Sequence, residues 1–108
     1  MNKLKWDKNF ALEQAADDAD LLEELIEIFK DSCRNDFRSI EKGIAEKDSE
    51  LICGAAHSIK GASASLGIEG IRDVALEIES DSRNGSIAAA TQKINELDEL
   101  LRLLQQLK

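Results

Sequence analysis

Proline is absent from these 108 residues, and aromatic side chains make up only 4%. With Leu, Ala, Ile, Glu and Lys dominating the rest, both scarcities point to long helices, and no strand is predicted. No apolar run approaches the roughly 20 residues needed to cross a bilayer. The basic start at Lys3, Lys5 and Lys8 is not followed by an apolar segment, so a signal peptide is not expected. Cations are the scarcer charge: 14 Lys and Arg stand against 22 Asp and Glu, for a net charge of −8. A surface of that sign repels nucleic acid and anionic membranes, and the cytoplasm is the expected location. There are only two cysteines, Cys33 and Cys53. In a reducing compartment they make no disulfide framework. A hairpin turning near Glu46 to Asp48 would set Cys33 level with about Lys60 and away from Cys53, so two small buried or half-buried thiols are expected. No glycine-rich phosphate loop occurs, so nucleotide binding is not written in the chain.

What is present is 43% hydrophobic, enough for a globular core of one domain spanning residues 1–108. Residues 1–6 read as a loose lead-in. Asp7 can cap a short leader helix over about 8–16, with Phe10 as its apolar anchor and Trp6 packing nearby. Asp17, Asp18 and Asp20 form an acidic cluster suited to capping the next helix, and it lacks the glycine and distal glutamate of a calcium loop. That next helix is predicted from Leu21 to Ala45, with Leu22, Ile26, Phe29, Cys33, Phe37, Ile40 and Ile44 facing inward. A second stripe, Leu21, Leu25 and Ile28, awaits cover by the leader helix or by a partner. Asp48 or Ser49 opens a helix that ends at Gly67, with Ile52, Ala56, Ile59, Ser63 and Leu66 inward. Another helix follows over Glu69 to Ser82, with Ile71, Val74, Ala75 and Ile78 inward. Asn84-Gly85 breaks the chain, and Ser86 caps a last helix from Ile87 to about Leu107. Its stripe of Ile87, Ala90, Ile94, Leu97, Leu101 and Leu104 is widened by Leu100, Leu103 and Leu107, through broad burial or self-association. Short connections make neighbours antiparallel. The expected fold is all-α, an up-down antiparallel four-helix bundle with a short N-terminal leader helix.

The only histidine, His57, lies in the middle of the third of these helices. Lys60 and Gly61 follow at i+3 and i+4, on the same face and away from the apolar stripe. A glycine inside a helix costs about 1 kcal/mol relative to alanine. Gly61 therefore suggests that something must come close to His57. Metal binding would find Cys53 at i−4 as a half-site, but zinc asks for more nitrogen and sulfur ligands. A hydrolase would need a nucleophile and an oxyanion hole; Ser58 points about 100° away and Ser65 lies two turns on. Phosphate acceptance fits better. Neutral imidazole is a good nucleophile, and phosphoryl transfer asks mainly for in-line placement and charge neutralisation, which Lys60 can supply. If the third and fourth helices fold back around Gly67 to Ile68, Glu79 comes level with His57. It would then either orient the ring through one nitrogen or remain a solvated glutamate.

His57-Ser-Ile-Lys60-Gly61, closed by Gly67 and followed by an amphipathic segment ending in Ile-Glu79, resembles the histidine-containing phosphotransfer (HPt) domain family. The helix count and lengths are similar along nearly the whole chain. The resemblance implies that His57 is phosphorylated, through Nε2, with Lys60 assisting by charge and Gly61 clearing space. It implies a phosphocarrier with no ATP site, which does not phosphorylate itself. Such domains take phosphate from the aspartyl phosphate of a response-regulator receiver domain, or from a kinase, and pass it to another receiver. Hybrid sensor histidine kinases are possible partners. No cofactor of its own is implied, since magnesium belongs to the receiver, and a monomer is expected. Members often carry serine after the glycine, where this chain has Ala62, with Ser63 one further. The alternative is a helical interaction module that binds signalling partners without phosphotransfer.

Overall fold

A computed structural model describes residues 3–107, with five helices: α1 (Lys8–Gln14), α2 (Ala19–Glu46), α3 (Ser49–Ser65), α4 (Glu69–Arg83) and α5 (Ala88–Gln105). At about 1.5 Å per residue, the 28 residues of α2 account for the 41 Å long dimension of the molecule. Each of α2 to α5 packs on its neighbours in the chain, and α2 closes the ring against α5. This is the expected four-helix bundle. The inward stripes of α2, α3, α4 and α5 merge into one core that includes Ile26, Ile40, Ile52, Ile59, Ile71, Ile78, Leu97, Leu101 and Leu104. Leu100 joins it, with Leu103 and Leu107 packed against its edge, so the extra leucines of α5 serve burial.

Aspartates start the first three helices. Asp7 accepts from the backbone N–H of Phe10, Asp18 from those of Asp20 and Leu21, and Asp48 from that of Leu51. The acidic cluster is thus a cap, as its composition suggested. Ser86 is not the cap of α5. Ile87 holds that position without a side-chain bond, while Ser86 Oγ takes the Ala88 N–H and Asp81, reaching over from α4, takes that of Ala89. Gly67 ends the turn after α3 in the left-handed region, φ 69°.

The leader departs most from expectation. Residues 1 and 2 lie outside the described residues, but the rest of the segment is no loose lead-in. Leu4 is buried, and backbone bonds run from Gly70 N–H to the Leu4 carbonyl (2.7 Å) and from Asp7 N–H to the Gly67 carbonyl (2.8 Å). Trp6 forms an isolated antiparallel bridge with Ile68 and donates its indole N–H to the Leu66 carbonyl. The leader is therefore stitched across the α3–α4 turn. α1 stops at Gln14, not Ala16, because Ala16 and Asp17 both take positive φ. Its buried residue is Ala11, and Phe10 is 38% exposed. So short a helix meets the bundle through its small face. It does not cover the second stripe of α2: Leu21 and Ile28 remain exposed and Leu25 is half-buried.

Candidate functional site

The face of α3 opposite its buried stripe carries His57. The ring is 64% exposed, because Ile52, Ala56, Ile59 and Ser63 take the inward positions of the same helix. Ser63 lies on the inward stripe as expected, and its hydroxyl bonds back to the Ile59 and Lys60 carbonyls. Gly61 is exposed, one turn beyond His57, and a Cβ there would meet nothing within 4 Å.

Glu79 comes across from α4. The α3–α4 hairpin closed by Gly67 sets it level with His57, and it is not a solvated glutamate: it is 1% exposed. Its Oε2 lies 2.5 Å from His57 Nδ1. An ionised carboxylate only accepts, so in the neutral ring this contact sets the proton on Nδ1 and leaves the lone pair on Nε2. Oε1 takes the Lys60 ammonium at 2.6 Å, and Arg83, one turn further along α4, donates to Oε2 at 2.9 Å. Burial works against ionisation of Glu79. The hydrogen bonds from Lys60 and His57 and the charges of Lys60 and Arg83 outweigh it, and hold the carboxyl below its ordinary 4.5.

The structure therefore brings His57, Lys60 and Glu79 together, with Gly61 beside them. Lys60 rests on Glu79 and is largely covered, instead of standing free in solvent. Arg83 is the member that sequence reading missed. The available signal was its i+4 spacing from Glu79, which acquires meaning only once Glu79 is known to be buried. Cys53 lies on the same helix at i−4 from His57, with its thiol 3.8 Å from the Glu79 carbonyl oxygen. Both cysteines are free, and burial, reinforced by Asp36 and opposed by Arg34, pushes the Cys33 thiol far above its ordinary range. Among the described residues no three His, Cys, Asp or Glu side chains converge as metal ligands do.

Chemically, this is an exposed nucleophilic nitrogen on a rigid helix, oriented from behind by a buried carboxylate and flanked by two cations. A family model for the Hpt domain matches residues 24–107, more than three quarters of the chain. Among solved structures, histidine-containing phosphotransfer protein B (HptB) from Pseudomonas aeruginosa PAO1 is similar with a TM-score of 0.85 and 20% identity, over 94% of this chain and 88% of that one. The HPT domain of the Hpt sensor hybrid histidine kinase from Shewanella is similar with a TM-score of 0.78 and 19% identity, over 97% and 94%. No curated protein sequence matches the chain. At such identities the structural likeness speaks for the fold, and the family model carries the membership.

Proposed function

The chain belongs to the Hpt domain family, the phosphotransfer carriers of phosphorelays, and from that premise we propose that His57 is the residue that accepts and hands on the phosphoryl group. In the accepting step the Nε2 lone pair attacks the phosphorus of an aspartyl phosphate on a receiver domain. The N–P bond forms, the aspartyl O–P bond breaks, and the electron pair leaves with the aspartate carboxylate. The second step runs the same exchange towards another receiver aspartate. Kinase domains of hybrid sensors are the other candidate donors. Glu79 holds the Nδ1 proton throughout, so the reacting nitrogen is always Nε2. Lys60 and Arg83 bond to the same carboxylate as the ring; they offset its charge and would oppose that of the incoming phosphoryl group. Any divalent cation for the transfer comes with the receiver's acidic pocket. No described helix is long and apolar enough to cross a membrane, and we place the relay in the cytoplasm.

The observation that carries this reading is the contact of His57 Nδ1 with a carboxylate that is 1% exposed, beneath a ring that is itself mostly exposed. The test is transfer from a panel of phosphorylated receiver domains. The protein should acquire an acid-labile, alkali-stable phosphate, and His57→Gln should acquire none. Equal labelling of the variant refutes the assignment. Stable complexes with receivers but no label would show a binding module instead.

A further inference from the structure

Six glycines occur in the chain, and the fold itself requires four of them. A Cβ at Gly43 would come within 2.5 Å of Ile52, one at Gly67 within 2.7 Å of the Asp7 carbonyl, and one at Gly70 would collide with the Lys3 carbonyl. Gly85 has φ 88°, where side chains are disfavoured. The two others, Gly54 and Gly61, have neither reason. Each sits inside α3, outside the left-handed region, and a Cβ at either would meet nothing within 4 Å. Helix stability argues against glycine at such positions. Both are exposed, and they stand at i−3 and i+4 from His57, one on each side of it along the helix. Nothing inside the molecule asks for them, so the demand comes from outside.

We infer that the receiver's footprint crosses α3 on both sides of His57, and that Gly54 is its second clearance position. The inference rests on the phosphocarrier reading, because the occupant is the domain that brings the aspartyl phosphate. Its phosphorus must come to about 3–3.5 Å from Nε2. After Glu50, the exposed residues of α3 are Gly54, His57, Ser58, Gly61 and Ser65, so the imidazole is the one long side chain standing out from that face. A partner reaching so short a projection brings its own backbone against the helix before and after it. A side chain at residue 54 would hold that backbone off, while disturbing nothing within the bundle.

The test uses Gly54→Ala, Gly54→Leu and Gly54→Gln, with Gln92→Leu on the exposed face of α5 as control. Each protein is offered two donors: a phosphorylated receiver, and phosphoramidate, which is too small to need a docking face. Gly54→Ala should melt higher, by roughly 4 °C. All variants should take label from phosphoramidate as the parent does. Transfer from the receiver should fall about tenfold or more in Gly54→Leu and Gly54→Gln, and less in Gly54→Ala. Gln92→Leu should be unchanged. Parent-like receiver transfer in both long-side-chain variants overturns the inference and leaves the carrier role standing. Loss of phosphoramidate labelling in folded variants also overturns it, since residue 54 would then act on His57 itself. Failure of the parent protein to accept phosphate from either donor is a different result, which removes the carrier reading and this inference with it.

Discussion

Two charged side chains are buried among the described residues, Lys30 on α2 and Glu79 on α4, and they are satisfied in opposite ways. The Lys30 ammonium donates to backbone carbonyls at the end of α5, to Leu107 at 2.6 Å and Gln105 at 3.4 Å, and pairs with exposed Glu27. It satisfies acceptors that a helix C-terminus leaves open and sits at the negative end of the helix dipole. Glu79 is satisfied entirely by side chains, and two of them, His57 and Arg83, are mostly exposed. One buried charge closes the fold on itself, whereas the other transmits its position to an atom at the surface. Burial alone therefore does not mark a functional charge. What marks it is that the partner it orients reaches solvent with a nucleophilic nitrogen to spare.

That contrast can be broken most severely at Glu79. Glu79→Ala should lose receiver-dependent phosphotransfer about 100-fold, because the ring is no longer held. It should also lose about 2–3 kcal/mol of stability, below the usual cost of breaking a buried pair because Lys60 and Arg83 can turn to solvent. Glu79→Gln keeps an acceptor for the Nδ1 proton and should retain about a tenth of the rate. Lys30→Met should show the reverse pattern. Chemical denaturation should register a loss of about 1–2 kcal/mol from the unsatisfied carbonyls, with phosphotransfer unchanged. If Lys30→Met slows transfer as much as Glu79→Gln does, the division between the two charges is wrong.

A subtler division concerns pH. The Glu79 carboxyl is depressed below its ordinary 4.5 in the folded protein, so folding favours its ionised form. Its contribution to stability is complete above the unfolded value and is lost as pH falls through the lower folded one. Melting temperatures followed from pH 7 to pH 3 should drop on the acid side, and the drop should be shallower in Glu79→Gln. Asp98, held low by Arg102 and Arg34 against its own burial, adds a similar but separate fall starting from 3.8. The smallest effect belongs to Arg83→Gln. At 64% exposure its ion pair contributes at most about 0.5 kcal/mol. Transfer should slow about threefold, and Arg83→Lys should recover part of it.

Helical periodicity made the bundle legible, since the inward stripes of α3 and α4 are continuous and stand beside the Asp48 cap and the Gly67 turn. The same regularity located His57 outside the core and brought Glu79 level with it. What could not be read depends on contacts distant in sequence. Trp6 bonds to Leu66 and Leu4 to Gly70, so the leader looks loose until the α3–α4 turn is in place. Phe10 outranks Ala11 in hydrophobicity, but Ala11 is the residue buried where α1 meets the bundle. Lys30 reads as a surface lysine of an amphipathic helix until the end of α5 arrives beside it. Arg83 and Gly54 carry only faint local signals, an i+4 spacing from Glu79 in one case and a glycine inside a helix in the other. Their meaning comes from a buried neighbour in one case and from an empty surrounding space in the other.

The central claim is that Glu79 holds one imidazole nitrogen so that the other does the chemistry. Nitrogen-15 NMR of the protein labelled at its single histidine, before and after phosphorylation, tests it most directly. The account predicts a proton on Nδ1 in the free protein and phosphorus coupled to Nε2 in the phosphorylated one. Phosphorus on Nδ1, or a proton resting on Nε2 beforehand, would contradict it.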